Sequence, residues 1–153
     1  MKWEFIIILS LVSLNVLAAC DKGKGLSIQN KNKSDSLSNR MKIKIGTNTF
    51  TATLLENETV TVFKAMLPLT LNMSELNGNE KHADLPSDLP VNASKPGTIQ
   101  AGDLMLWGSN TLVLFYKSFS TSYSYTKLGH IDDPAGLASA VGSNSITVTF
   151  ELE

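Results

Sequence analysis

The sequence predicts a mainly β domain with two short helices. Apolar and polar residues alternate on both sides of a short turn near residue 47, and the same alternation returns at residues 146–152. Glycine or asparagine turns separate the apolar stretches between them. A period of two places every second side chain on the same face of a sheet, so each stretch has one face to bury. The predicted domain spans residues 41–153.

The first two predicted strands form a hairpin. Met41, Ile43 and Ile45 alternate with lysines in "MKIKIG", and "TFTATLL" at residues 49–55 alternates apolar residues with threonines. The "GTN" between them is short enough for a two- or three-residue hairpin turn.

Three further strands are predicted in the middle of the domain and one at its end. "TIQAGDLMLWG" (98–108) and "TLVLFYKS" (111–118) are joined by a "GSN" turn. "YSYTKLG" (123–129) is rich in aromatic and β-branched residues, which favour strands. "SITVTFELE" at the end of the sequence has the cleanest alternation in the chain.

The first candidate helix is "NETVTVFKAMLP", residues 57–68. Asn57 is a good N-cap, Val60 and Phe63 share one helical face, and Pro68 ends the pattern. The Thr-Val-Thr-Val core favours a strand by propensity, so the pattern alone leaves helix and strand both open.

The second candidate helix lies in "DDPAGLASAVGS", residues 132–143. Asp133 is expected to cap it, Pro134 to occupy the first helical position, and Gly142 to end it.

The first twenty residues predict a bacterial lipoprotein signal. An apolar run from Phe5 to Ala19 is shorter than the roughly twenty residues of a bilayer span. It ends in "LAAC", which resembles the lipobox, where the signal is cut before the cysteine and the cysteine is acylated. We therefore expect residues 1–19 to be a signal peptide and Cys20 to anchor the protein in the bilayer of a bacterial cell envelope, on the periplasmic or surface side. The alternative is a core cysteine that happens to follow two alanines.

Residues 20–40 predict a flexible tether behind that cysteine. They are rich in Gly, Ser, Asn and Lys, have no apolar period, and carry a net charge of +3. The domain behind them has seven lysines and eleven acidic residues, a net charge of −4. It lacks the positive surface that phosphate backbones require, so we expect no nucleic-acid partner.

Four blocks of the domain resemble, in order, the bacterial cyclophilin-like domain family. They are "MKIKIG…FTATLLENETVTVFKAMLP", "ELNGNEK…DLP", "GDLMLWGSNTLVLFY" and "YSYTKLGHIDDPAGL", and they cover nearly all of residues 41–153. The resemblance implies a closed antiparallel cyclophilin-like β-barrel with two short capping helices, one over each open end.

The catalytic arginine of cyclophilins has no counterpart in the predicted domain. The resemblance implies a site where an arginine stabilises the twisted X–Pro amide, whose uncatalysed rotation barrier is about 18–20 kcal/mol. The only arginine is Arg40, which the sequence pattern assigns to the tether. Lysine does not reproduce the planar guanidinium fork. We therefore expect no catalytic residue, and no cofactor.

Aromatic residues concentrate between positions 107 and 125 and are the first candidates for a binding site. Most such residues pack in a core, but Trp107, Tyr116 and Tyr125 carry polar groups that suit a peptide or small-ligand groove. Phe115 falls on the opposite face of its strand from Tyr116. We take Trp107, Phe115, Tyr116 and Tyr125 as ligand-binding candidates.

Two polar stretches supply the remaining candidates. "NGNEKHADLP", residues 77–86, is predicted to be a long loop, in which Glu80 and His82 either present charge to a ligand or simply face water. "LGHIDD" places His130 just before the second helix. Both stretches contain His-x-Asp, but no Cys pair or HExxH motif accompanies them, so we expect no metal site.

These features favour a membrane-anchored envelope lipoprotein whose barrel binds a peptide or a small molecule without turning it over. Two alternatives remain open. One is a weak peptidyl-prolyl isomerase or chaperone-like envelope enzyme that uses Tyr and His donors. The other is a structural partner in an envelope protein complex.

Overall fold

The structure, a computed structural model, describes residues 38–153. The predicted signal peptide at residues 1–19, the lipid attachment at Cys20 and the tether as far as residue 37 lie outside the described residues. Within residues 38–153, no helix is long and apolar enough to cross a bilayer.

Ten strands and two helices make up the described domain. In chain order they are β1 (Arg40–Ile45), β2 (Asn48–Leu54), α1 (Glu58–Ala65), β3 (Leu69–Leu76), β4 (Glu80–Asp84), β5 (Thr98–Ile99), β6 (Asp103–Trp107), β7 (Thr111–Phe115), β8 (Phe119–Ser120), β9 (Thr126–Ile131), α2 (Leu137–Val141) and β10 (Ile146–Leu152). Eight strands close into an antiparallel barrel in the order β1-β10-β3-β4-β7-β6-β9-β2. β5 and β8 form a separate two-stranded ribbon.

The two helices cover opposite ends of the barrel. α1 joins the end of β2 to the start of β3, while α2 joins β9 to β10 at the other end, because neighbouring strands run antiparallel. Val60 and Phe63 of α1 and Leu137 and Val141 of α2 are buried in the barrel core. The closed barrel with two capping helices, which the family resemblance implied, is confirmed.

The alternating pattern of the first hairpin is confirmed. Met41, Ile43 and Ile45 are fully buried inside the barrel. Ile45 pairs with Asn48 across a tight turn, in which Gly46 has the positive φ of +56° that glycine adopts without strain.

α1 is a helix despite its strand-favouring Thr-Val core. Asn57 caps it, because its Oδ1 accepts a hydrogen bond of 2.8 Å from the backbone N–H of Val60. Phe63 packs edge-on against Phe150 of β10, with ring centroids 6.5 Å apart. The cap and this buried contact outweigh the weak intrinsic preference for a strand.

The predicted loop at residues 77–86 is wrong, because half of it is β4, a strand paired on both sides with β3 and β7. Lys81 of this strand is fully buried. Its ammonium donates to the Glu75 carboxylate at 2.5 Å and to the Asn144 carbonyl at 2.7 Å. A strand that buries a lysine lacks the apolar alternation by which strands are recognised in a sequence. β3, the strand before it, was also not predicted.

Two other strand predictions have wrong bounds. Residues 98–108 form β5 and β6 rather than one strand, because the chain turns between them at Gly102, whose φ is +97°. Residues 123–125 precede β9, which begins at Thr126. Tyr125 instead makes an isolated bridge with Ser94.

The second helix begins later than predicted. Gly136, in the left-handed conformation at φ 80°, is its N-cap. The predicted cap at Asp133 is wrong, since its carboxylate accepts from the Ala135 backbone N–H at 3.0 Å in the preceding turn, and Pro134 lies outside the helix. The predicted end at Gly142 is confirmed.

The assignment of Arg40 to the tether is wrong, because Arg40 is the first residue of β1. Its guanidinium forms ion pairs with Asp132 at 3.2 Å and with Glu153 at 3.0 Å. The apolar alternation begins only at Met41, so the sequence pattern does not show that the strand starts one residue earlier, at an exposed arginine.

Candidate functional site

A cavity of about 660 Å³ lies on the outer face of the barrel, between β4, β7 and the segment 117–125. We call it the outer pocket. Its lining combines aromatic, acidic and small polar side chains: Leu76, Asn77, Asn79, Glu80, His82, Asp84, Trp107, Thr111, Val113, Phe119, Ser120, Thr121, Ser122, Tyr123 and Tyr125.

The floor of the outer pocket follows from the period of two. Glu80, His82 and Asp84 are alternate residues of β4 and point outward, while Lys81 between them points into the barrel. Val113 of β7 lies opposite His82 in the same sheet. Five residues of extended strand span about 13 Å, which sets the length of the floor.

The wall of the outer pocket, residues 117–125, is held by hydrogen bonds to the segment before β5 and by a small aromatic cluster on the barrel. The backbones of Ser94 and Tyr125 exchange two hydrogen bonds of 3.0 Å. The ring of Phe115, which is fully buried beneath the wall, lies 5.7 Å from Phe119 and 5.5 Å from Tyr125 between centroids. The wall is therefore tied to the barrel beneath it rather than to the ribbon alone.

The rim of the outer pocket exposes apolar surface. Five large apolar side chains are exposed in residues 38–153, and three of them line this pocket: Leu76 at 43%, Trp107 at 56% and Tyr123 at 68%. A cluster of exposed apolar side chains around a concave, partly polar site is typical of a binding surface.

Four of the seven predicted ligand-binding candidates line the outer pocket. They are Trp107 of β6, Tyr125 of the wall, and Glu80 and His82 of β4. Their predicted surroundings differ from the observed ones, since Glu80 and His82 lie on a barrel strand and not on a loop. Their convergence on one cavity comes from the pairing of β4 with β7 and of β7 with β6.

The other three candidates lie elsewhere. Phe115 supports the wall from below without lining the cavity. Tyr116 points into the barrel, where its hydroxyl donates to the Glu75 carboxylate at 2.9 Å; burial and this hydrogen bond raise the pKa of Tyr116 to about 12. His130 lies on β9, with its Nδ1 3.0 Å from the Asp103 carboxylate.

The two His-x-Asp pairs do not meet. His82 is on β4 and His130 is on β9, and β7 and β6 lie between these strands. Among residues 38–153, no group of three or more His, Cys, Asp or Glu side chains is placed to hold a metal ion.

Several lining residues were missed. Asp84 would follow from the alternation of Glu80 and His82 once β4 is recognised as a strand. Tyr123 and Ser122 belong to the wall, whose course depends on the pairing of β5 with β8. A two-residue strand gives no periodic signal in a sequence.

The electrostatics of the outer pocket centre on Glu80. Only 7% of this residue is exposed, and its carboxylate makes no hydrogen bond or ion pair within the described part of the chain. Burial, and then the charge of Glu75, raise the pKa of Glu80. Asp84 is partnered, since it accepts a hydrogen bond of 2.8 Å from the Thr111 hydroxyl. No lysine or arginine of residues 38–153 lines the pocket.

The lining decides which chemical groups the outer pocket can offer to a ligand. The pocket offers an acceptor without a partner, aromatic faces and small hydroxyl groups. It has no guanidinium to donate to a twisted amide nitrogen, and Arg40 is held by Asp132 and Glu153 outside the lining.

Replacing Glu80 with glutamine is expected to stabilise the fold at neutral pH by on the order of 1 kcal/mol. The raised pKa of Glu80 means that folding favours its protonated form, so its contribution to stability is present at low pH and is lost as pH rises through the folded-state pKa. Urea denaturation over a pH series should show the advantage of Glu80→Gln shrinking towards acid pH. An advantage that is absent at neutral pH, or that grows towards acid pH, would contradict this assignment.

Comparison with known proteins identifies the fold family. The model of the Cyclophilin-like family matches residues 43–151, which is most of the chain and nearly all of the barrel. No curated protein matches the chain. The matched range includes the whole outer pocket. The chain belongs to the cyclophilin-like family.

Proposed function

We propose that this protein is a membrane-anchored lipoprotein of the bacterial cell envelope whose cyclophilin-like domain binds a peptide or a small molecule in the outer pocket without turning it over. The observation that carries the proposal is the Glu80 carboxylate, which faces the cavity without a hydrogen-bond partner among the described residues, below a rim of exposed aromatic side chains. A ligand that supplies a donor to this carboxylate would therefore gain a hydrogen bond to a charged group, the stronger kind.

The dimensions of the outer pocket suit such a ligand. Its volume of about 660 Å³ lies within the range of about 300–1,000 Å³ that is typical of small-molecule sites. Its floor of about 13 Å accommodates roughly four residues of an extended peptide. Trp107 and Tyr123 present flat apolar surfaces with polar edges, which suit either kind of ligand.

Within residues 38–153, the outer pocket lacks the charged hydrogen-bond donors that prolyl isomerisation would need. Prolyl isomerisation requires stabilisation of an amide whose resonance is broken, and the barrier is about 18–20 kcal/mol. Electrostatic stabilisation of a transition state depends on donors already aimed at the reacting atoms. Among the described residues, the pocket lining holds neither an arginine nor a lysine.

The test combines a prolyl-isomerase assay with a binding screen. The screen uses N-acetylated, C-amidated pentapeptides that vary the central residue and include proline. We expect some peptides to bind, Trp107→Ala to weaken that binding, and the isomerisation rate to stay at its uncatalysed value. Strong acceleration would favour the isomerase alternative, and binding that survives Trp107→Ala would place the site elsewhere.

The membrane anchor is tested separately by Cys20→Ser. A serine has no thiol to take the lipid, and two or three acyl chains anchor a protein that a single chain does not hold stably. We expect the variant to lose incorporated radiolabelled fatty acid and to leave the membrane fraction. Undiminished acylation of Cys20→Ser would contradict the lipobox interpretation.

A further inference from the structure

The chemistry of the unpartnered acceptors narrows the class of ligand. Glu80 is more than nine-tenths buried, yet its carboxylate has no donor within residues 38–153. The side-chain oxygen of Asn79, another lining residue, has no hydrogen-bond partner either, but it is buried out of reach of a ligand in the cavity. An ionised carboxylate only accepts hydrogen bonds, so a ligand that pairs with Glu80 must bring N–H or O–H donors.

The charge of the outer pocket favours a cationic donor. Glu80 and Asp84 both face the cavity, and no lysine or arginine of residues 38–153 shares it. The nearest cation on the same strand, Lys81, is turned into the barrel and is held there by Glu75 and Asn144. A buried carboxylate is best stabilised by an opposite charge that also donates hydrogen bonds.

The aromatic lining is compatible with the same kind of ligand. Phe119, Tyr123 and Tyr125 lie around the cavity into which Glu80 points. The Glu80 charge acts on Tyr125, whose pKa is raised by burial and then by this carboxylate, so the two side chains are close. Aromatic faces attract cations, and they bind the apolar stem of a lysine or arginine side chain as well.

We propose that the outer pocket binds a cationic nitrogen, the ammonium or guanidinium of a lysine side chain, an arginine side chain or a free amine, on the Glu80 carboxylate. This inference rests on the proposed function, in which the outer pocket is a binding site. The inference adds that the ligand is positively charged and that Glu80 is the residue that binds this charge. Asp84 at the other end of the floor adds a second, weaker attraction, because its carboxylate is already bonded to Thr111.

The test uses Trp107, which lines the pocket, as a fluorescent reporter. The chain has two tryptophans, and Trp3 lies in the proposed signal peptide, so Trp107 is the sole emitter of the processed protein, or of the unprocessed chain after Trp3→Phe. The probes are blocked pentapeptides that differ only at the central residue, which is lysine, arginine, norleucine or glutamate. Butylamine and butylguanidine serve as free-amine probes, and they separate a small-molecule source from a peptide source.

We expect the lysine and arginine probes to bind more tightly than norleucine, and glutamate to bind least. Glu80→Gln should weaken the cationic probes at least about tenfold while leaving the norleucine probe unchanged. The matched control is Glu151→Gln, which removes the same charge from β10, outside the pocket, and should leave all affinities as they are.

Two outcomes would overturn this inference. The first leaves the proposed binding function intact, and the second overturns it as well. If norleucine binds as tightly as lysine, or Glu80→Gln leaves lysine binding unchanged, the cationic specificity is wrong while the pocket remains a binding site. If no probe binds at millimolar concentration, both the cationic specificity and the proposed binding function fail.

Discussion

Glu75→Leu is expected to destabilise the domain by about 3 kcal/mol. Glu75 is the counter-charge of Lys81, whose side chain is fully buried inside the barrel, and it also accepts from the Tyr116 hydroxyl. Removing one partner of a buried ion pair costs about 3–5 kcal/mol, because the remaining charge stays buried and unpaired. The lower end applies here because 23% of the Glu75 side chain is exposed and water reaches it.

The control for Glu75→Leu is the same substitution in an exposed ion pair. Glu151 pairs with Lys44 at 2.7 Å, but their side chains are 35% and 45% exposed, so Glu151→Leu should cost less than about 1 kcal/mol. The double variant Glu75→Leu/Lys81→Met should recover most of the loss, since it removes the stranded charge. Equal costs for Glu75→Leu and Glu151→Leu in urea denaturation would contradict the assignment.

The same ion pair predicts a pH dependence. Burial pushes the pKa of Glu75 upward, but the hydrogen bonds from Lys81 and Tyr116 outweigh it and lower the pKa. A carboxyl whose folded-state pKa is lowered stabilises the fold above its unfolded-state pKa, and that stabilisation is lost as pH falls through the folded-state value. The difference between wild type and Glu75→Leu should therefore shrink in acid.

Phe150→Ala is expected to destabilise the domain by about 3–5 kcal/mol. Phe150 is fully buried, packs against Phe63 of α1, and lies on β10 between Ile43 of β1 and Leu69 of β3. Truncation removes buried apolar surface and leaves a cavity where the helix meets the barrel.

Two variants accompany Phe150→Ala in the same denaturation experiment. Phe150→Leu keeps most of the volume and should cost less than the alanine variant. Tyr123→Ala removes an aromatic ring that is 68% exposed and should change the free energy of unfolding by less than about 0.5 kcal/mol. A loss of less than 1 kcal/mol for Phe150→Ala would show that α1 is not packed on the barrel as described.

Three barrel strands were predictable from their alternation alone, while β4, which buries a charge, was not. β1, β2 and β10 each alternate apolar and polar residues, so their existence and their buried faces follow from a period of two. β3 alternates in the same way at Leu69, Leu71 and Met73, and that signal was overlooked. β4 carries Glu80, Lys81 and His82, and its burial depends on Glu75, a residue of a different strand. No local pattern in a sequence reports a counter-charge that arrives by strand pairing.

The candidate site was predictable in its residue types more than in its geometry. Trp107 and Tyr125 were predicted for an aromatic groove, and Glu80 and His82 for a separate loop, whereas the structure places all four at one cavity. Their binding role stays a prediction. Tyr116 was predicted to line a groove, but its side chain points into the barrel. The spacing of residues along a strand shows which of them share a face and not which face is inside. That the Glu80 carboxylate has no hydrogen-bond partner among the described residues could be recognised only from the structure.

Amide chemical-shift mapping of the protein against the pentapeptide mixture tests the outer pocket most directly. We predict shifts in β4, in β7 and in the segment 117–125, which line the cavity, and little change in β1 and β2 on the other side of the barrel. Shifts confined to β1 and β2, or none at saturating peptide, would contradict a binding site at the outer pocket.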